Sequence, residues 1–397
     1  MSFARAGRDA GITRFALKGH SMQHYPDAVA LTKELLAFNT INPPGAEEAC
    51  ARRLGGLLEA AGFDVHYAAF APTRTSVVAR IGGHEDRPSL GFTGHMDTVP
   101  LGGVPWKRDA FGASLEGGRL YGRGASDMKS GVAAFVIAAI AQAGRLRQSP
   151  GVTLVLTADE ECGCGGAAFL AHETDLLGSV GALLVGEPTA NYPLVGHKGA
   201  LWLEARASGV TAHGSMPERG DNAIHKAAQA VRTLQEFDFA VEPHPLMGRP
   251  TLNIGTLHAG LNINSVPDRA TIGIDIRTIP GQQHAGVRDR LQRALGDAIE
   301  IAPMIDVEAI YSDPAEPWMQ QVFTIAQAHL GERPQPRTAT YFTDAAVLNS
   351  VYRDVPICVL GPGEPQLAHQ TDEYCLVDRV EQAVSIYDDL IRQWCFH

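Results

Sequence analysis

Five places in this 397-residue chain combine side chains that bind cations or move protons. The segment Gly94-His95-Met96-Asp97-Thr98-Val99-Pro100 sets an imidazole two positions from a carboxylate. At that spacing the ring can bind a metal through one nitrogen while the carboxylate orients the other. Alone, the pair reads equally as a satisfied polar contact at a strand end. Gly122-Arg123-Gly124-Ala125-Ser126-Asp127-Met128-Lys129-Ser130-Gly131 presents one carboxylate just before a helical pattern. Asp127 is then either a helix N-cap or a metal ligand, and the loop by itself does not choose. A phosphate loop is excluded, because no Lys-Ser/Thr follows at the P-loop spacing.

Asp159-Glu160-Glu161 closes a run of apolar and Thr residues. Adjacent acids at a buried strand end repel by roughly several tenths of a kcal/mol or more unless a cation or proton intervenes. A solvated acidic turn is the alternative. Glu187 in Gly186-Glu187-Pro188-Thr189, and His369 in Ala368-His369-Gln370-Thr371-Asp372-Glu373, are ordinary loop residues when taken singly. As a set, two imidazoles and several carboxylates supply the mixed nitrogen and oxygen ligands that zinc accepts.

The elements that must position them alternate between apolar runs and helical patterns from about Pro26 to Val195. Leu90 to Gly94, Val152 to Ala158 and Ala182 to Val185 read as buried strands, and Ser130 to Gly144 as a helix. This alternation predicts an α/β domain with a mostly parallel sheet flanked by helices. His95 and Asp97, Asp159 to Glu161, and Glu187 follow the carboxyl ends of these three strands, where open sheets of this kind bind ligands. From Gly199 the pattern becomes strand (Leu201 to Ala207), helix (Asn222 to Phe237), strand (Thr251 to His258), strand (Ala270 to Arg277), helix (Ala285 to Leu295) and strand (Ile301 to Ile310). That βαββαβ order is the ferredoxin-like α+β unit, complete in itself and therefore an inserted domain. The chain then returns to the first domain with a helix at Trp318 to His329, a strand at Val355 to Leu360 and a helix at Val377 to Trp394. The expected division is 1–197 and 313–397 for the catalytic domain and 198–312 for the insertion, in keeping with a length too great for one core.

The net charge of −11 repels phosphate backbones and argues against nucleic acid as a partner. With 45% hydrophobic and 19% charged residues and no long apolar stretch, the composition is that of a soluble protein without a membrane span. Arg5, Arg8, Asp9, Arg14 and Lys18 interrupt any secretory leader, so residues 1–24 read as a flexible extension of a cytoplasmic protein. Six scattered cysteines do not make a disulfide framework. Cys162 and Cys164 have no second pair at zinc-finger spacing and read as small buried thiols.

With these five motifs in this order, the chain resembles the zinc-dependent aminoacylase and carboxypeptidase family that includes acetylornithine deacetylase and succinyl-diaminopimelate desuccinylase. The resemblance runs from about Pro26 to the carboxyl terminus. It implies two zinc ions per subunit, with cobalt or manganese as substitutes. Asp127 would bridge them, His95 and Glu187 completing one site and Glu161 and His369 the other, with Asp97 behind His95. It further implies Glu160 as general base and His213, in Thr211-Ala212-His213-Gly214, as a donor to the oxyanion of a partner subunit. The inserted domain would then serve as lid and as the seat of a homodimer. Arg277 matches an arginine that grips the substrate carboxylate, Asn264 matches a neighbouring polar contact, and Thr343 falls where the family lines its pocket. Gly186-Glu187-Pro188-Thr189 with Gly196-His197-Lys198-Gly199 resembles the deacetylase branch, whereas Thr343-Asp344-Ala345 resembles the desuccinylase branch. Cys162 and Cys164 stand where many relatives carry small residues.

The activity expected is therefore removal of an N-acyl group from an amino acid or related small molecule. A carboxypeptidase or dipeptidase would use the same metal chemistry with a different pocket. A non-catalytic metal-binding relative is the alternative of another class, and it would be expected to have lost a ligand or Glu160.

Overall fold

An apolar run whose every residue is buried must be covered on both faces, and such runs form the centre of this protein. The computed structural model describes residues 25–83, 87–352 and 355–397; the expected extension over residues 1–24 lies outside them. All residues of the strands Ser89–His95 and Val152–Thr157 are buried, as are most of Val180–Val185. Ser89–His95 lies between the other two and parallel to both, and Ile357–Val359 adds a further parallel strand beside Val180–Val185. A hairpin of Asp64–Ala71 and Arg74–Ile81 extends the sheet past Val152–Thr157 in the antiparallel sense. The carboxyl ends of the parallel strands therefore open at one edge.

The helix Ser130–Leu146 is buried along most of its length and packs against the sheet and against the terminal helix Val377–Phe396. Phe92 of the central strand meets Phe135 of the first helix and Tyr387 of the second, each with ring centroids 5.7 Å apart. Full burial of a ring like Phe135 contributes about 1.5–3 kcal/mol, so this stack fixes where the helix starts relative to the strand ends.

The segment after Gly196 builds a separate four-stranded antiparallel sheet in the order Thr251–Ala259, Arg269–Thr278, Gly199–Ser208, Ile299–Val307. Helices Ala223–Gln235 and His284–Leu295 complete the expected βαββαβ arrangement. One face of this sheet, with Leu201, Leu203, Ile274 and Ile276, forms a core with those helices. By strand alternation the opposite face carries Trp202, Asp275 and Arg277, with Asp275 directly across from Trp202 in register. It is held toward the first sheet, because Ala200, Ile305 and Val307 share a core with Val185 and Val359.

The last strand stops at Val307 rather than continuing to Ile310. Its partner ends there, Val307 pairing with Ala200, and Ile310–Tyr311 pairs instead with Gly196–His197. Among the described residues no helix is long and apolar enough to cross a membrane.

Candidate active site

The central strand ends on His95, whose ring is 1% exposed. Its Nδ1 lies 3.0 Å from the backbone carbonyl oxygen of Asp97. A carbonyl only accepts, so Nδ1 carries a proton and donates it there, which turns Nε2 toward the cluster. Nε2 is 3.2 Å from Asp127 Oδ1, 3.7 Å from Glu187 Oε1 and 4.0 Å from Glu160 Oε2. The Asp97 side chain does more than stand behind the ring. It lies 3.6 Å from His95 Nδ1, while its oxygens accept the backbone N–H groups of Glu160 (3.1 Å) and Glu161 (3.2 Å) and the Asn42 amide (2.8 Å). The backbone of Asp97 orients the imidazole, and its carboxylate fixes the acidic turn.

Asp127 does not cap the following helix. The residue at the N-cap of Ser130–Leu146 is Lys129, with no side-chain cap, and Asp127 has extended torsions before a cis peptide to Met128. The loop is shaped from elsewhere. Glu373 accepts from the backbone N–H groups of Gly124 (3.0 Å), Ser126 (2.7 Å) and Asp127 (3.0 Å) and pairs with Arg123 at 2.7 Å, all buried. A short antiparallel pairing of Arg119–Tyr121 with Tyr374–Leu376 brings these segments together. Backbone also touches backbone: a Cβ on Gly131 would meet Gly186 O at 2.0 Å, so the start of the helix and the strand end before Glu187 approach as only glycine allows.

The second half of the cluster is His369, half-exposed, whose Nε2 stands 3.3 Å from Asp127 Oδ2 and 3.1 Å from Glu161 Oε2. Thus one Asp127 oxygen faces each imidazole. Asp159, read with its two neighbours as one acidic group, turns away in a left-handed conformation (φ 65°) and pairs with Arg74 at 2.8 Å.

The charges do not balance within the protein. Burial drives Glu160 and Glu187 well above the usual carboxylate range and raises Glu161, and neighbouring carboxylates push the same way. Burial also works against ionised Asp127, but hydrogen bonds from His369 and His95 hold it low. The bonds to Asp127 and Glu161 push His369 up to about 10. Groups that must borrow protons in this way mark a site suited to added positive charge. Glu161 Oε1 is buried with no hydrogen-bond partner among the described residues. Ligand atoms of His95, Asp127 and Glu161 lie within 4.8 Å of one another. Imidazole and carboxylate donors in this grouping fit zinc, and fit cobalt or manganese as well.

A cavity of about 390 Å³ opens over the cluster and is lined also by Trp202, Arg277, Tyr341 and Phe342. Arg277 is among these lining residues, its Nε 2.9 Å from Asp275 Oδ1 and its guanidinium over the Trp202 ring. Thr343 is buried beneath this wall and bonds His197 Nε2 at 3.0 Å instead of lining the cavity. His213 and Asn264 are exposed on the inserted domain, outside the cavity of their own chain, and their loops are joined by the Gly214 N–H to Asn264 O bond of 2.7 Å. Reading the sequence missed Glu373, Asn42 and Trp202. Glu373 stands four residues after His369 with a matching Arg123, and the alternation of buried Leu201 and Leu203 places Trp202 on the other face.

The sequence pattern of peptidase family M20/M25/M40 matches residues 91–393, a span that holds all five candidate ligands. The chain belongs to this family. It is 29% identical to the probable succinyl-diaminopimelate desuccinylase of Staphylococcus epidermidis, over 93% of this chain and 98% of that protein. It is 31% identical to the acetylornithine deacetylase of Edwardsiella ictaluri, again over 93% and 98%. Among solved structures, the M20 family metallo-carboxypeptidase of Sulfolobus solfataricus superposes with a TM-score of 0.78 at 18% identity, covering 93% of this chain and 99% of that one. A dinuclear metal-binding M20 peptidase of Bacillus subtilis superposes at 0.67 with 16% identity, covering 92% and 96%. This M20 protein is a metal-dependent hydrolase of amide bonds.

Proposed function

We propose that this M20 hydrolase removes the acyl group from an N-acylated amino acid, using two zinc ions that share Asp127. The observation that carries the reading is the placement of the two Asp127 oxygens, one 3.2 Å from His95 Nε2 and the other 3.3 Å from His369 Nε2. His95 and Glu187 would complete one site, Glu161 and His369 the other. Cations held there supply polarisation of an amide oxygen and acidification of water at neutral pH.

The chain's own part is positioning and proton transfer. Glu160 is buried beside the cluster, and that burial first, then the carboxylates around it, raises its affinity for a proton. It takes a proton from the attacking water and passes it to the leaving nitrogen as the C–N bond breaks, giving a carboxylic acid and a free amine. Arg277 grips the amino-acid carboxylate.

His213 and Asn264 would reach this cavity from a second copy, His213 donating to the developing oxyanion. Leu257, Leu261 and Ile263, all more than half exposed on the inserted domain, support a homodimer formed there. The domain division at 197/198 and 312/313 belongs to the same proposal, as does a cytoplasmic location, which suits six free cysteines.

The decisive assay sets N-acetyl and N-succinyl amino acids beside dipeptides, with zinc added. Turnover of the N-acyl compounds, lost by a factor of at least roughly 10² in Glu160→Gln, is expected. Full activity in Glu160→Gln would contradict the mechanism. The likeness to a metallo-carboxypeptidase favours a second reading, peptide-bond cleavage, and turnover of dipeptides alone would establish it.

A further inference from the structure

The cavity over the cluster is lined by apolar and aromatic groups as well as by the carboxylates. Trp202, Tyr341 and Phe342 form a wall of three rings, continued by Pro188, Pro365 and Ala368. The carboxylates that line the cavity are Asp127, Glu160, Glu161 and Glu187, and all four are committed to the cation cluster or to proton transfer. Among the described residues of this chain none remains for an ammonium group on a substrate side chain. Asp275 adds no free acid, since it pairs with Arg277 and lies outside the cavity lining. A cation seeking the face of Trp202 finds the Arg277 guanidinium there, 5.9 Å from the ring centroid. The Tyr341 hydroxyl is spent on the carbonyl of Pro188 at 3.1 Å. In contrast, the buried Trp202 indole N–H has no partner among the described residues, a polar atom that normally finds one when buried.

Resting on the deacylase reading above, we infer that the preferred substrates are N-acyl amino acids with an uncharged aliphatic or aromatic side chain, selected by the Trp202, Tyr341 and Phe342 wall. Substrates with a second, cationic amine, such as those for which the two bacterial relatives are named, fit this cavity poorly. The volume of about 390 Å³ accommodates a small amino-acid derivative. The side chain packs on the rings and the carboxylate meets Arg277.

The test compares N-acetyl-L-norleucine with N-acetyl-L-ornithine, whose side chains match in length and differ in a terminal methyl against an ammonium. With the zinc-loaded protein, kcat/KM for the norleucine compound is expected to exceed that for the ornithine compound by at least roughly tenfold. N-acetyl-L-phenylalanine should also be turned over. Trp202→Ala is expected to shrink the ratio, and Trp202→Phe to keep most of it. Calorimetric binding of both compounds to Glu160→Gln should show the same order without turnover. An equal or greater kcat/KM for the ornithine compound overturns the inference and leaves the deacylase reading standing. No turnover of any N-acyl amino acid overturns the deacylase reading itself. A ratio unchanged in a folded Trp202→Ala removes the wall from the account of specificity.

Discussion

Glu373 Oε1 accepts the backbone N–H groups of both Ser126, at 2.7 Å, and Asp127, at 3.0 Å, so the segment that carries His369 also sets the loop that presents Asp127. The two ends of the cluster are thereby one mechanical unit. Replacing Glu373 by Ala leaves Arg123 buried and uncompensated along with three backbone donors, which is expected to destabilise the protein by about 3 kcal/mol or more. Urea unfolding of wild type and variant measures it. A loss under about 1 kcal/mol would show that the contact contributes little beyond an exposed pair.

Asn42 donates to the carboxylates of both Asp97 and Asp159, at 2.8 Å each. Through Asp97 it braces the turn that aims Glu160 and Glu161. Asn42→Ala is expected to lower kcat on the order of tenfold with KM nearly unchanged, as loss of a supporting hydrogen bond behind metal ligands does. Steady-state kinetics on the best N-acyl substrate decide this, and a change confined to KM would place Asn42 in substrate binding instead.

The cluster was legible because its residues sit at the ends of strands whose apolar runs announce them: His95 after Leu90 to Gly94, Glu160 and Glu161 after Val152 to Ala158, Glu187 after Ala182 to Val185. Type and place marked these residues as candidates, whereas Asp127 and His369, at no strand end, were reached only through the whole set of motifs and the family resemblance. What the sequence hid are relationships that leave no trace in residue type. Asp159 is removed from the acidic group by Arg74, far upstream, and nothing local distinguishes it from Glu160. Asp97 acts on His95 through its carbonyl and on the acidic turn through its side chain, a division of labour invisible without coordinates. Glu373 works entirely through backbone donors and one arginine. The early end of the strand Ile299–Val307 was hidden for a similar reason, since the length of its partner sets it.

His197 lies fully buried where the first domain passes into the insertion, bonding Lys198 O at 2.8 Å and Thr343 Oγ1 at 3.0 Å. Burial lowers its pKa from 6.5 to about 4. The unfolded chain therefore takes up this proton first as pH falls. The resulting stability is complete above pH 6.5 and is lost as pH drops toward 4, by about 3 kcal/mol for this group. Denaturant unfolding of wild type and His197→Asn at several pH values isolates the effect, because titration of the other groups is common to both. Parallel curves across that range would mean that His197 protonates freely in the folded state.

The central claim is that one aspartate holds two cations, and metal content per chain tests it most directly. Wild-type protein loaded with zinc and freed of excess by gel filtration is expected to retain two equivalents by elemental analysis. His369→Ala should lose chiefly one, and Asp127→Ala should lose both while circular dichroism stays native. Two tightly held equivalents in Asp127→Ala, or only one in the wild type, would contradict the account.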